Sequence, residues 1–291
     1  MDKLSENNAR LFHKLMDSLL FFANKDLNVI KNCNTLNEFH NNDVKKTIPI
    51  REKVFSDNGI IDEYISKNPD NISSDEINII DSWKKSLEGK FFIVKYEKEY
   101  ALFLDPEENK VYGVKGITDS FKEMLGGRCP IVVDVRLLQF KDNMVYDGIF
   151  FPYQITFGGG MKSSLKAESE TAIQKYGVII SFEKLVVEKE NSDEDMLRFY
   201  MKSQNNRDRY FDEIEELRSK SPESEAVYQQ EEARIISKDI KKNFKAKGIK
   251  GHFAALGFSI IASAPNKKEL EENIKKMVPD SKLKWVYRFK I

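Results

Sequence analysis

The stretch Ile131–Phe157, IVVDVRLLQFKDNMVYDGIFFPYQITF, decides the fold. It holds the longest apolar runs of the chain, rich in β-branched and aromatic residues, joined by the polar tripeptide Lys141-Asp142-Asn143. Two such runs around a tight turn form a β-hairpin. Upstream, KFFIVKY (90–96), EYALFLD (99–105) and KVYGVKG (110–116) have the same character and are separated by the turns EKE and DPEEN. A brief helix at Ser120–Leu125 precedes the hairpin. Five or six strands in about 70 residues, mostly hairpin-linked, predict a small antiparallel barrel-like sheet with helices packed on its outside. The Asp147-Gly148 pair interrupts its strand and marks a bulge or bend. A helix over 161–176 and a strand over 177–187 (GVIISFEKLVV) close this domain near residue 188.

Around the sheet the pattern turns helical. Leu4, Leu11, Phe12, Leu15, Met16, Leu19, Phe22, Ala23 and Leu27 recur at spacings of three and four, an amphipathic helix over 4–30 that needs a partner surface. The Asn-rich stretch Asn32–Asn42 reads as a loop. Pro49 opens a short helix that Gly59 ends, and a further helix over 74–87 is capped by Ser73 or Ser74 and stopped by Gly89. From 190 to 220, Met196, Phe199, Tyr200, Tyr210, Phe211, Ile214 and Leu217 again keep helical spacing. SKSPESE (219–225) breaks this run and starts a helix to about 246, with Ser221 as cap, Pro222 in the first turn and Gly248 as stop. The two form an αα-hairpin. HFAALGF, SIIASA, an Asn266-capped helix and KWVYRFKI complete a β-β-α-β unit. The expected fold is therefore α+β, in four parts: a helical region over 1–73, the β-rich domain over 74–188, a charged helical hairpin over 189–248 and a basic β-β-α-β unit over 249–291.

The chain has 291 residues, 41% of them hydrophobic, enough for real cores, and 32% charged, which calls for solvent-facing helices. Lys+Arg and Asp+Glu both number 47, so no overall field draws in a polyanion and any such role must rest on a local patch. Cys33 and Cys129 stand alone, outside any CxxC or Cys/His cluster, which argues against disulfides and structural zinc and fits a reducing cytoplasm. LLFFA (Leu19–Ala23) is far short of the roughly 20 apolar residues of a membrane span, and no cleavage site follows it. No membrane partner and no cofactor are expected.

Thr156–Ser164, TFGGGMKSS, is the first candidate for chemistry. Gly158, Gly159 and Gly160 let backbone N–H groups converge at a helix start, where Lys162, Ser163 and Ser164 would add charge and hydroxyls for an anion. The Walker pattern GxxxxGK[ST] is not met, since Met161 stands where its last glycine belongs. The bland alternative is a turn and an ordinary helix start. Asp105, Asp134 and Asp147 are the conspicuous acids. Asp134 and Arg136, two apart on one strand, share a face and suit a cross-strand ion pair or a catalytic role. His13, His40 and His252 have no acid or cysteine at ligand spacing, so no metal is expected, and no GxSxG is present.

The basic tract Ser237–Lys250 says more. Lys238, Lys241, Lys242, Lys245, Lys247 and Lys250 face the single acid Asp239. Cations in a last helical turn complement the macrodipole, but six exceed that need. Lys267, Lys268, Lys275, Lys276, Lys282, Lys284, Arg288 and Lys290 extend the basic character to the C-terminus, a footprint for phosphate backbones.

VYGVKGITDSFKEML (111–125), followed by the opening hairpin and FGGGMKSSLKAE, resembles a β-rich module of an uncharacterised bacterial and archaeal family with the pattern YGVxG…(I/V)YDG…FGGG. The N-terminal LFHKLMDSLLFFANKDLNV is similar to the same family, so about half of the chain is covered. Gln139 stands where that pattern has proline. Some members are associated with SecC-like zinc-binding tails, which two lone cysteines cannot supply. The last 40 residues resemble small uncharacterised β-β-α-β units. Neither resemblance brings an activity or a catalytic residue.

The reading that follows is a non-enzymatic cytoplasmic binding protein engaging nucleic acid or a protein partner through its basic C-terminal surface. The alternative is a hydrolase acting on a phosphate-containing substrate, with Gly158–Gly160 and Lys162 as anion cradle and Asp134 or Asp147 as acid. A third is self-association through the helical hairpin.

Overall fold

A computed structural model describes residues 2–182 and 192–291, the side chain of Asn205 aside. The chain forms two compact units, Met1–Glu188 and Lys189–Ile291. Among the described residues no helix is long and apolar enough to cross a membrane.

The N-terminal unit begins with α1 (Glu6–Leu27), capped by Ser5, whose side chain accepts from the Asn8 N–H. Its expected stripe is its buried face: Phe12, Leu15, Met16, Leu19, Leu20 and Ala23 join the main core. The stretch read as loop holds a short helix, α2 (Leu36–His40), started by a reciprocal Thr35–Glu38 capping box and anchored by buried Phe39. Next come α3 (Ile48–Ser56), with Pro49 in its first turn, and α4 (Asn58–Lys67). Gly59 does not end a helix here; it lies in the first turn of α4, because Asp57 takes up the Gly59 N–H as an N-cap. Helix α5 (Ser74–Ser82) is capped by Ser73 with Glu76 reciprocating. It stops well before Gly89, which belongs to the first strand.

The strands are β1 (Leu87–Tyr96), β2 (Ala101–Asp105), β3 (Lys110–Lys115), β4 (Ile131–Phe140), β5 (Asn143–Pro152) and β6 (Val178–Ile179). Helix α6 (Phe121–Met124) precedes β4, and α7 (Gly159–Tyr176) follows β5. The sheet order is β2-β1-β4-β5-β3-β6, with β2 also paired to β3. It is not wholly antiparallel, and its closure through β3 and β5 is incomplete. β3 runs parallel to both β5 and β6, and only Val114↔Met144 and Lys115↔Val145 join it to β5. Of the expected strand over 177–187, only Val178–Ile179 is strand among the described residues; 183–187 lie outside them.

The opening hairpin forms as read: Phe140 pairs with Asn143 around Lys141, which takes φ +52. Gln139, in the place of the resembled proline, is buried; its amide NH2 donates to the Lys141 carbonyl and its Oε1 accepts from the Phe182 N–H. One face of the sheet shares the core of α1 to α5, where buried Trp83 donates its indole N–H to the Gln139 carbonyl at 2.9 Å. A smaller cluster packs Leu102, Leu104 and Val111 against Leu165 and Ala172 of α7. Just after β3, Gly116 has no room for a side chain, since a Cβ would fall 2.0 Å from the Asp119 carbonyl oxygen.

In the C-terminal unit the run over 190–220 is three helices, not one: α8 (Asp193–Tyr200), α9 (Gln204–Arg209) and α10 (Phe211–Lys220). Ser203 restarts the helix as an N-cap, accepting from the Asn206 N–H. The αα-hairpin is α10 with α11 (Pro222–Ala246), joined at Ser221. Leu197, Phe199, Met201, Tyr210, Ile214, Leu217 and Val227 bury one another here, consuming most of the aromatic stripe. The closing unit is β7 (His252–Leu256), β8 (Ser259–Ala264), α12 (Lys267–Met277) and β9 (Tyr287–Lys290), in sheet order β8-β7-β9. Alternation along β7 fills both faces. Phe253 and Ala255 pack with Phe289 against Ala233, Ile240 and Phe244 of α11. Ala254 joins Leu270 and Ile274 of α12 on the other face.

Candidate functional site

Strand register explains the acids of the β-rich domain. On β1 and β4, Glu88 lies opposite Arg136 and Lys90 opposite Asp134, and each pair forms a cross-strand ion pair. Asp134 also accepts from the Tyr153 hydroxyl at 2.5 Å. Arg136 is largely buried, stacks over the Phe55 ring and reaches Glu52 at 3.3 Å. Opposite it, β5 carries an insertion: Val135 pairs with Phe150 but Leu137 with Tyr146, so the chain bulges at Asp147-Gly148-Ile149, with Gly148 at φ +98. The bulge turns Asp147 inward. Its carboxylate accepts the Ile149 N–H at 3.0 Å and lies 3.8 Å from Nη1 of buried Arg51, which donates to the Asp147 carbonyl. Burial opposes both charges, raising the Asp147 carboxyl and lowering Arg51; their mutual attraction acts against that shift in each.

Arg51, Glu52, Glu88, Lys90, Asp134, Arg136 and Asp147 line a pocket of about 470 Å³, together with Glu107, Ile48, Ile149 and Phe151. Sequence reasoning had Asp134, Arg136 and Asp147 in view and missed Arg51, Glu52 and Glu88, which only tertiary structure brings in. Apart from Glu107, each of these charges has an oppositely charged partner among the described residues. Asp105 is structural: its buried carboxylate accepts the N–H groups of Glu107 and Glu108 in the β2–β3 turn.

The glycine corner is elsewhere. The lining of that pocket includes neither Gly158, Gly159 and Gly160 nor Lys162. A Cβ on any of the three glycines would meet nothing within 4 Å. Gly158 caps α7 with no side-chain hydrogen bond, Lys162 and Ser163 are exposed, and Ser164 donates to Glu168 in its own helix. Two of the three histidines have side-chain partners. His40 Nδ1 lies 2.6 Å from an Asp17 carboxylate oxygen, and His13 Nε2 lies 3.1 Å from the Thr118 hydroxyl. Among the described residues no group of three or more His, Cys, Asp and Glu is placed to hold a metal.

The basic tract divides in two. Lys241 is a packing residue: its ammonium donates to the Tyr287 hydroxyl at 2.8 Å and lies over the rings of Tyr287 and Phe289. Lys238, Lys242, Lys245, Lys247 and Lys250 are exposed and have no ion pair among the described residues. Lys238, Lys242 and Lys245 recur at i, i+4 and i+7, one stripe of α11. The sheet then gathers more charge at the end where α11 stops. Gly251 exchanges backbone hydrogen bonds with Ile291, and His252 pairs with both Ala264 and Lys290. Register thus places Lys247, Lys250, Lys290 and the start of α12, with Lys267 and Lys268, at the same end of the unit. Lys267 and Lys268 lie in a first helical turn, where the macrodipole disfavours a cation by about 0.3–1 kcal/mol. Arg288 is answered by Glu271 at 2.7 Å and Lys284 by Glu223 at 3.5 Å. The arrangement is a lysine-covered end with few acids and a helix N-terminus within it. No family model, curated protein or solved structure matches this chain.

Proposed function

We propose that the protein is a non-enzymatic binding protein whose C-terminal unit engages the phosphate backbone of a nucleic acid. One observation carries this reading: exposed lysines without ion pairs collect at the end of the β7–β8–β9 sheet where α11 stops, two of them against a helix dipole. Folding stability gains nothing from that placement, whereas a polyanion would be attracted both by the ammonium groups and by the N-terminus of α12. Lysines without a planar fork or an interleaved exposed aromatic suit contact with phosphates rather than base edges, so affinity for RNA and DNA should depend little on sequence.

The test is binding of labelled 20-nucleotide single- and double-stranded RNA and DNA by the full chain at two salt concentrations. Binding at 50 mM salt should fall steeply by 200 mM, with a log–log slope of about −0.7 to −0.9 per phosphate contacted. Charge reversal of Lys242, Lys245, Lys247 and Lys250 should abolish it, with Lys241 left in place because it holds α11 to β9. Absence of binding at 50 mM salt, or unchanged binding by the reversed variant, would remove the proposal. The hydrolase alternative has weaker support, since the glycine corner and the acids do not converge on one pocket.

A further inference from the structure

A second surface of the C-terminal unit is built for a different partner. Gly257-Phe258 is the two-residue turn of the β7–β8 hairpin, with Gly257 at φ +52 and Leu256 paired to Ser259. A Gly-X turn requires glycine only at its first central position, and Phe258, at the second, is 76% exposed at the tip. Phe211, at the start of α10, is 63% exposed. Two large apolar side chains left in water beside one apolar groove make a candidate interaction surface.

Phe258 and Phe211 wall one groove of about 520 Å³, floored by Met201, Ile214, Tyr228, Ile235 and Ile236. Its α11 side, Tyr228 to Ile236, spans eight residues, about 12 Å or two helical turns. The rim is acidic. Among the described residues Glu232 accepts from the Tyr228 hydroxyl and Asp208 from the Gln204 side-chain amide, and neither carboxylate has a cation. Arg207, the basic group of the rim, is turned to Gln204 and to the Met201 carbonyl. An apolar trough two turns long between unanswered carboxylates is complementary to an amphipathic helix with apolar residues at i, i+3/i+4 and i+7 and lysine or arginine on its flanks.

We infer that this groove docks a basic amphipathic helix of a partner protein. The occupant is not the chain's own basic helix, whose Ile240 and Phe244 are packed against β7 and β9. The probe is a labelled 14-residue peptide with leucine at the anchor positions and lysine elsewhere, compared with its glutamate counterpart by fluorescence anisotropy. The full chain should bind the lysine peptide with micromolar affinity and the glutamate peptide at least tenfold more weakly. Phe258→Ser and Glu232→Lys should each weaken the lysine peptide at least tenfold. Phe258 lies on an exposed turn, so an unchanged circular dichroism spectrum and Tm in its variant separate loss of the groove from loss of the fold. Equal affinity for the two peptides, or undiminished binding by Phe258→Ser, overturns the proposal. So does light scattering that finds a dimer reduced to monomer by Phe258→Ser, since a second copy would then fill the groove. Oligonucleotide binding by Phe258→Ser should be unaltered, so the two surfaces fail independently.

Discussion

The pocket between α3, β1, β4 and β5 and the lysine-covered end of the C-terminal unit are both crowded with charge and treat it in opposite ways. In the pocket, Arg136 is held by Glu88 and Glu52, Asp134 by Lys90 and Tyr153, and Arg51 by Asp147. At the basic end, Lys242, Lys245, Lys247 and Lys250 have no carboxylate at all among the described residues. Charge that a fold answers internally is part of its architecture. Charge left unpaired at the basic end has no such role in the fold, and that is the ground of the proposed phosphate contact. A concave pocket rich in titratable groups is the usual first guess for a working site; here pairing, rather than shape, is the ground on which the lysine-covered end is proposed instead.

The comparison breaks first at Arg51. Arg51→Ala leaves the buried Asp147 carboxylate without its cation and removes the donor to the Asp147 carbonyl, at a cost of about 3–5 kcal/mol. Urea denaturation should show this as a large fall in midpoint. Reversal of Lys242, Lys245 and Lys247 to glutamate should change stability by no more than about 0.5 kcal/mol per site. A loss under 1 kcal/mol for Arg51→Ala would mean that the pocket's pairs do not hold the bulge, and would reopen it as a candidate site.

A finer division lies within one helix. Lys241 and Lys242 are neighbours in the same basic tract, yet Lys241 lies 4.7 Å from the Phe289 ring centre and donates to Tyr287. Lys241→Ala should cost about 1–2 kcal/mol through lost cation–π and hydrogen-bond energy. Lys242→Ala should leave stability within about 0.5 kcal/mol and lower oligonucleotide affinity instead. Thermal unfolding and anisotropy on the two variants would show the effects crossed. Equal behaviour in both assays would dissolve the distinction between packing and binding lysines.

How much of this was legible in the sequence follows from the range of each interaction. The β4–β5 hairpin was readable because its runs, its turn and its bulge signal all lie within one stretch. So was α1, whose stripe is local. The Thr35–Glu38 capping box is a local signal too, but a run of asparagines around it masked a five-residue helix. Gly59 misled because a glycine two residues after an aspartate suits a helix start as well as a stop. The candidate sites were less readable. Arg51 is separated from Asp147 by 96 residues and Arg136 from Glu52 by 84, so no spacing rule unites them. Lys241 and Lys242 differ only in which face of α11 the sheet covers. Phe258 could have been noticed from sequence alone, as an aromatic residue in a Gly-X turn.

The smallest expected effect concerns the glycine corner, and it has the opposite sign. Gly159 and Gly160 open α7 with ordinary helical backbone and empty space where a Cβ would sit. Neither needs to be glycine for the fold, and each lowers helix stability by freeing the unfolded chain. Gly159→Ala should therefore raise stability by about 0.4–1 kcal/mol. Gly148→Ala, at φ +98 in the bulge, should lower it by about 1 kcal/mol or more. If Gly159→Ala stabilises and oligonucleotide affinity is unchanged, the corner is a flexible turn and the phosphate contacts belong to the lysine-covered end. If instead Gly159→Ala weakens binding while the fold holds, a ligand's close approach to the backbone is what the glycines serve. The unanswered charge at Lys162 would then belong with the lysines of the C-terminal unit as available to a ligand.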